Sequence, residues 1–531
     1  MAADAETGCR RIYAAMRTRH MQSNRWRLHD RQNRHVLGIG IATIALLGFA
    51  PAGCSLNQQG HREIGEALAN YERRHATAVS RYAGVPKVAA PTATGPTVRA
   101  PQVVIEDGTL ADLLATALER NPDILAAIDT ARSVASRIPQ ATSLVDPMLM
   151  TKTLPEPTRT ADGDMVFVLG VQQALPIPQK LDHRGREALA ETRMAIETLG
   201  QTRLRVVGDV KRAYFQLFAI DQAVLITKEN QTLMRDLIEV ARGQLIAGRR
   251  QQEDVLRAQV ELSNLESQLV ELGQRRVTTV ALINSILDRS PSTKVPPLSE
   301  YDVRRLAPRL EELLSKAYER NPELQRFERQ IERDEQSLRL AQLEYWPDFT
   351  VGFEWMAMNP RTPFIPPVNP QTGMRPPYSR MSEEGTDSWA IVAGVNLPIW
   401  FERIEGGIRE ARERLSASRR QMRSAKNRIT YQVEDALARI DSQRDIADLF
   451  ATAIIPQAEQ AYQVTREGYI TGTSDFQFVI DNWQKWLFFR LQYYRTLGDL
   501  ERSVADLEQA VGVSVIEAQG DNAPRTNGEG G

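Results

Sequence analysis

The feature that most restricts the fold is a stretch of about 65 residues, from Leu181 to Ile246, that contains no proline. Apolar residues recur along it at steps of three, four or seven, which is the spacing of a coiled-coil seam. The seam residues are Leu199, Val206, Val210, Ala213, Leu217, Ile220 and Val224. At 1.5 Å per residue such a helix extends roughly 100 Å. The sequence therefore predicts long helices that need packing partners along their whole length.

An internal duplication is the second restriction. The phrase ALERNPDI at residues 117–124 returns as AYERNPEL at residues 317–324, an offset of 200. Further matches are Asp146-Pro147 with Trp346-Pro347 at the same offset, and Gly170-Val171 with Gly394-Val395 and Gly248 with Gly472 at an offset of 224. Each copy is predicted to follow one plan: a helix of about 35 residues, two strands, one very long helix and a second long helix.

Three segments alternate apolar residues with small or polar ones. The apolar sets are Met165, Phe167, Leu169 and Val171; Phe349, Val351, Phe353 and Trp355; and Trp389, Ile391, Ala393, Val395 and Leu397. A strand of about ten residues with one apolar face bordered by tryptophan is typical of a transmembrane β-strand. A half-buried hairpin in a soluble sheet gives the same alternation. An export signal at the N-terminus favours the membrane interpretation.

That signal comprises arginines followed by an apolar stretch of about fifteen residues, Val36 to Ala50. The stretch is short for a membrane span, and the residues Pro51-Ala52-Gly53-Cys54 after it resemble a bacterial lipobox, although Pro51 stands where leucine is usual. Cys9 and Cys54 are the only cysteines, so the mature chain has no disulfide partner. We therefore expect a lipid on Cys54, with an unprocessed anchor or a plain cleaved signal as the alternatives.

Two copies with two strands each supply four strands, which cannot close a barrel alone. Open strand edges are not tolerated in hydrocarbon, and single-chain barrels begin at about eight strands. Two protomers would give about eight strands, whose interior fills with side chains, whereas three would give about twelve and leave room for a conduit. The chain is therefore expected to oligomerise, and a transport role favours three copies.

Charge and motifs exclude several classes of function. The 67 acidic and 66 basic residues nearly balance, so no charge excess favours nucleic acid as a partner. The chain has no HExxH sequence, no phosphate-binding glycine loop, no cysteine pair and no nucleophile elbow. The three histidines after Cys54 (His61, His75 and His183) are far apart in sequence. The sequence thus predicts a protein that is not an enzyme, with no metal site and no cofactor other than the lipid.

The export signal, the duplicated plan and the two ERNP phrases together resemble the TolC-like outer membrane factors of Gram-negative efflux systems, over roughly residues 105–515. Within that family, the stretch QQALPIPQKLDHR (172–184) is similar to the QxxPxPGKL phrase of the CusC/CzcC-type heavy-metal branch, with Gln179 in place of glycine. The resemblance implies a mainly α fold with a small transmembrane β part. It implies a homotrimer with a 12-stranded β-barrel and a helical periplasmic tunnel, which meets a periplasmic adaptor and an inner-membrane RND-type pump.

On this basis the chain divides into six parts. They are a signal peptide with an N-terminal extension (1–53), a lipid-anchored strap or linker (54–107), a first repeat (108–290), a linker (291–308), a second repeat (309–516) and a disordered tail (517–531). Strands are expected near 147–154, 165–175, 347–358 and 388–397. The protein is expected in the outer membrane, held by lipid and by its strands.

The resemblance also implies a periplasmic tip at the turns between the long helices. The adaptor-contact residues would be Gly248, Arg249 and Arg250 in the first copy and Gly472 and Thr473 in the second, where glycine tolerates a tight reversal. Acidic rings gate this constriction in the family. The corresponding pore-gate residues are Asp481, Asp254 and Phe478, although Phe478 occupies a position where the family has aspartate. Ordinary loop glycines and a solvated aspartate at a helix start are the simpler alternatives.

The second copy carries a proline-rich insertion, expected to form the longer extracellular loop, with TLPEPTRTADGD (153–164) as its shorter counterpart. Met356, Met358, Met374 and Met381 lie near the insertion. They can bind Cu(I) or Ag(I), but adaptable packing is the simpler interpretation.

The expected function is the outer membrane exit duct of a tripartite efflux system, carrying heavy-metal cations. An outlet for drugs or a type I secreted protein is the alternative within the transport class. A lipid-anchored periplasmic coiled-coil scaffold is the alternative from another class.

Overall fold

The structure is a computed structural model that describes residues 109–160, 163–296, 309–360, 368–374 and 385–514, together with Gln59, Arg62, Glu63, Gly65, Glu66 and Ala69. The predicted signal segment, Cys54, most of the predicted strap, Met381 and the predicted tail lie outside these residues. The described chain is mainly helical, with one small sheet.

The first repeat contains five helices and two strands. In chain order these are α1 (Leu110–Arg120), α2 (Pro122–Ala135), α3 (Arg137–Thr142), β1 (Met148–Thr160), β2 (Gly163–Leu175), α4 (Pro178–Ile246) and α5 (Gln252–Ile286). The 69-residue helix α4 is the longest of the described elements. Six of its seven predicted seam residues are buried, while Val224 is half-buried.

The second repeat follows a similar order, with one α-helix fewer before its strands and with a break in its very long helix. It contains α6 (Leu310–Arg320), α7 (Pro322–Gln342), β3 (Phe349–Asn359), β4 (Ser388–Val395), α8 (Phe401–Leu449), α9 (Ile455–Thr471) and α10 (Phe476–Val511). A π-helical turn, Phe450–Ile454, joins α8 to α9, and Pro456 is the second residue of α9. Because proline has no N–H to donate, the helical hydrogen-bond pattern changes there. Helix α4 packs against α5, α7 and α10, so the two repeats share one helical bundle.

The repeated ERNP phrase breaks the predicted 35-residue helix at Asn121 and again at Asn321. Each asparagine accepts a hydrogen bond from the backbone N–H two residues on, at 3.0 Å and 2.8 Å, and so caps the next helix. Each Nδ2 also donates to a carbonyl at the end of the last helix of its own repeat, Ile286 at 2.9 Å and Ala510 at 2.8 Å. Each copy of the phrase therefore makes the same connection between the short helices and the last helix of its repeat.

The four strands form one antiparallel sheet in the order β1-β2-β3-β4. Residues paired across strands share a face, and the register aligns Val171 with Phe353 and Phe353 with Ile391. One face of the sheet is therefore apolar, and we call it the apolar face. The other, the mixed face, carries Gly170, Gln172, Gly352, Glu354, Ala390 and Val392.

Two sequence expectations about the strands are wrong. Strand β1 does not end near residue 154 but continues to Thr160, so most of the predicted loop TLPEPTRTADGD is strand; a register shift between Thr153 and Thr158 accommodates its two prolines. Met165 does not share a face with Phe167. The register between β2 and β3 shifts by one residue at Val166, which places Met165 opposite Met358 on the mixed face.

Candidate functional site

The apolar face of the sheet is uncovered in the protomer. Exposed fractions are 49% for Phe353, 56% for Trp389 and 68% for Ile391. Mixed-face side chains of β3 and most of those of β4 are half-buried or buried, which indicates that the sheet curves towards its mixed face. Contiguous apolar area of this kind on a protein surface marks an interaction with a membrane or with another protein.

Both edges of the sheet are open as well. Within the described part of the chain, β1 pairs only with β2 and β4 pairs only with β3. Open edges are templates for pairing with another strand. An apolar face together with two unpaired edges is the pattern expected of a sheet that further strands complete.

A buried lysine joins the sheet to the helices. The Lys180 side chain is 1% exposed, and its Nζ donates to both carboxylate oxygens of Asp348 and to the carbonyl of Trp346, each at 3.0 Å. The Glu344 carboxylate lies 3.8 Å away. Lys180 lies in the first turn of α4 in the first repeat, and Asp348 precedes β3 in the second. This junction cluster (Lys180, Glu344, Trp346, Asp348) therefore fixes one repeat against the other.

At the far end of α4 and α9 the chain reverses at two glycines. Gly248 has φ +68° and Gly472 has φ +91°, and residues other than glycine rarely adopt such positive φ values. Both reversals close with hydrogen bonds from the loop to the last helical turn, such as Arg249 N–H to the Gln244 carbonyl at 3.0 Å and Thr473 N–H to the Gly468 carbonyl at 2.7 Å. The two predicted tip turns therefore end the two long hairpins in the same way.

Side chains connect the two turns to each other. Arg250 donates to the Ser474 carbonyl at 2.6 Å and to Asp475 at 3.3 Å, and its guanidinium lies 4.9 Å from the centre of the Tyr469 ring. The Tyr469 hydroxyl donates to Asp254 at 3.1 Å. Gln244 donates to the Ile470 carbonyl at 3.1 Å. These tip contacts hold the first-repeat hairpin against the second.

The surroundings of Tyr469 keep its hydroxyl protonated. Burial, followed by the neighbouring Asp254 carboxylate, raises the pKa of Tyr469 well above its ordinary value. The Tyr469 hydroxyl therefore stays protonated throughout the physiological pH range and can donate its hydrogen bond to Asp254.

The predicted tip and gate residues have different surroundings. Arg249 is exposed, whereas the Arg250 side chain is only 17% exposed and is engaged in the tip contacts. Asp254 is half-buried against Tyr469, so its carboxylate is occupied. Asp481 is half-buried and accepts from Gln477 at 2.8 Å. Phe478, on the same side of α10 as Asp481, is 58% exposed.

The contacts that join distant segments of the chain could not be predicted from the sequence. Lys180 and Asp348 are 168 positions apart, and Asp254 and Tyr469 are 215 apart. No local pattern links such pairs. The one local signal was the position of Lys180 in the QKL phrase at the start of α4, because lysine is seldom fully buried unless it is paired.

Three further observations complete the site. No helix among the described residues is long and apolar enough to cross a membrane. The described residues contain no group of three or more His, Cys, Asp or Glu side chains that could hold a metal ion. Near the N-terminus, Glu63 accepts from Arg193 of α4 at 2.7 Å and 2.8 Å, so the predicted strap has a contact with the helical bundle.

Known proteins share this architecture. The chain is 20% identical over 406 residues to the cobalt-zinc-cadmium resistance protein CzcC of Cupriavidus metallidurans, an alignment that covers 76% of this chain and 90% of CzcC. A structure of CusC matches with a TM-score of 0.64 at 14% identity, covering 80% of this chain and 99% of CusC.

VceC of Vibrio cholerae, an outer membrane protein, matches with a TM-score of 0.61 at 16% identity, covering 76% of this chain and 96% of VceC. The family model for outer membrane efflux proteins matches residues 113–287 and 313–513, which are the two repeats. The chain belongs to the outer membrane efflux protein family.

Proposed function

We propose that this protein is the exit duct of a tripartite efflux system and that it works as a homotrimer in the outer membrane. The observation that carries the proposal is the open four-stranded sheet with its uncovered apolar face. Three such sheets joined edge to edge supply about twelve strands, which can close a barrel wide enough for a conduit. The apolar face would then contact lipid and the mixed face would line the lumen.

The long helices extend the duct. Helix α4 alone spans roughly 100 Å at 1.5 Å per residue. Its far end carries the tip turns, where the exposed Arg249 and Thr473 are available to a periplasmic adaptor and, through it, to an inner-membrane RND-type pump. A lipid on Cys54 would add a second membrane attachment, since stable anchoring needs more than one signal.

At the tip, α10 supplies the proposed gate. A threefold arrangement would bring three copies each of Asp481 and Phe478 towards one axis. Three carboxylates in a narrow pore concentrate negative potential and favour cations. The Phe478 ring, exposed in the protomer, would narrow the same opening. Asp254 would contribute less to the gate than Asp481, because its carboxylate accepts a hydrogen bond from the Tyr469 hydroxyl.

Cross-linking tests the closure directly. Leu149 on β1 and Ile391 on β4 lie on the two edge strands and are 66% and 68% exposed. With Leu149→Cys and Ile391→Cys in one chain and a flexible bismaleimide, membranes should yield linked dimers and trimers and nothing larger. Each single variant serves as the control and should yield no trimer. Linkage that stops at dimers, or that continues beyond trimers, would exclude the three-fold ring.

The cargo is proposed to be heavy-metal cations, supported by the similarity to CzcC, whose name carries cobalt, zinc and cadmium resistance. A deletion strain should lose tolerance to one or more of copper, silver, zinc, cobalt and cadmium, and the intact gene should restore it. Unchanged metal tolerance together with lost tolerance to dyes or antibiotics would assign the duct to drug efflux instead.

A further inference from the structure

Methionines occupy the mixed face of the sheet at one end. Met165 and Met358 are directly paired between β2 and β3, and Met356 lies two residues from Met358 on the same face. The hydroxyl of Thr160, from β1, lies 3.8 Å from the sulfur of Met358. We call Thr160, Met165, Met356 and Met358 the thioether cluster; it draws residues from three strands.

The register shift at Val166 creates this cluster. Without the extra residue, the alternation of β2 would place Met165 on the apolar face with Phe167 and Leu169. The shift turns it to the mixed face, opposite Met358. Re-aiming one side chain in this way is a common use of a bulge near a functional site. The apolar face would accept methionine without any irregularity, so packing into lipid does not explain the shift.

The geometry suits a ligand shared by two sulfurs. Side chains directly opposite in an antiparallel pair have Cβ atoms about 5 Å apart, and methionine has three rotatable bonds with which to bring its sulfur towards a common point. Met358 is 7% exposed, so its sulfur is shielded from most of the solvent. Glu354, two residues beyond Met356 on the same face, adds a negative charge nearby.

We propose that the thioether cluster is a weak binding site for soft monovalent cations of the Cu(I) and Ag(I) class. Thioethers are neutral, soft ligands that favour Cu(I), whereas Mg²⁺, Ca²⁺ and Mn²⁺ favour oxygen. A site of two or three thioethers and a hydroxyl would hold such an ion without the strong charge that would trap it. The location of the site on the lumen rests on the proposed function; the binding itself does not.

Silver binding to the purified, detergent-solubilised full chain tests the site. Isothermal titration with Ag(I) should show binding that the double variant Met165→Leu, Met358→Leu weakens roughly tenfold or more, as expected when ligands are lost. Leucine is a volume-conserving replacement, so assembly should persist. Met374→Leu is the matched control, because Met374 is 74% exposed outside the strands, and it should bind as the wild type does. Equal affinity in all three proteins would overturn the proposal.

X-ray absorption of the wild type loaded with Cu(I) keeps the site testable even if the double variant fails to assemble. The expected spectrum has sulfur neighbours around the metal, and the described strands offer no cysteine to supply them. A spectrum with only nitrogen and oxygen neighbours would refute the site. Bilayer conductance separates the two proposals. A protein that conducts but binds no silver would support the exit duct and refute the binding site. A protein that binds silver but does not conduct would support the binding site and refute the exit duct.

Discussion

Replacing Lys180 with methionine is expected to destabilise the protein by about 2–4 kcal/mol. Removing one partner of a fully buried ion pair costs about 3–5 kcal/mol because the other charge is left uncompensated. The lower figure applies here because the Asp348 side chain is 32% exposed and water can screen it in part. Net stabilities of about 5–15 kcal/mol make such a loss severe. The yield of heat-resistant oligomer in membranes and its dissociation temperature would measure it.

A second variant separates charge from packing. Methionine keeps most of the lysine stem, so Lys180→Met removes mainly the charge. Adding Asp348→Asn removes the orphaned carboxylate, and the double variant should recover part of the lost stability. Lys228→Ala, at an exposed position on the same helix, should change little. A Lys180→Met protein with wild-type yield and dissociation temperature would contradict the importance of the junction cluster.

The long helices and the strands were predictable because their patterns are local. The seam of α4 repeats every three or four residues, and the strands alternate every two, so each segment reveals its own face. The internal duplication also predicted that both halves of the chain follow the same order of helices and strands. The ERNP phrase marked a repeated unit, but the sequence could not show that its asparagine ends one helix, caps the next and reaches a carbonyl of a third.

Contacts between distant segments were not predictable. The junction cluster and the tip contacts join residues of different repeats, and their side chains meet only once the bundle has formed. The prediction that Met165 shares a sheet face with Phe167 was wrong for a different reason. A one-residue register shift inverts the face of every residue beyond it, and nothing in the local sequence around Val166 marks the shift. Pairing between strands, not alternation within one strand, decided that face.

The long helices of the two repeats differ at one point. In the second repeat a π-helical turn interrupts the path from α8 to α9 ahead of Pro456, whereas α4 runs through the matching region of the first repeat without a break. The interruption makes the α9 and α10 hairpin the better candidate for movement, because π-turns within helices disturb the regular hydrogen-bond pattern. The tip contacts would then restrain the hairpin that moves against the one that does not.

The double variant Arg250→Ala, Tyr469→Phe is therefore expected to open the tip. Hydrogen bonds of a charged group contribute about 1.5–3 kcal/mol each, and the two substitutions remove the bond from Arg250 to the Ser474 carbonyl and the bond from Tyr469 to Asp254. The third bond, from Arg250 to Asp475, adds little because the Asp475 side chain is 76% exposed and solvent screens it. A loss of about 3 kcal/mol raises the ratio of open to closed tips by roughly two orders of magnitude. Purified protein in planar bilayers should show a higher mean conductance, and cells should become sensitive to a large antibiotic such as vancomycin.

Arg249→Ala is the matched control for this experiment. Arg249 lies next to Arg250, but its exposed side chain takes no part in the tip contacts. The variant should conduct as the wild type does, and a defect confined to efflux with the adaptor present would place Arg249 at the adaptor surface. Each single substitution at Arg250 or Tyr469 should have a smaller effect than the pair. If the double variant assembles fully and its conductance equals that of the wild type, the contacts between the two hairpins do not hold the tip closed.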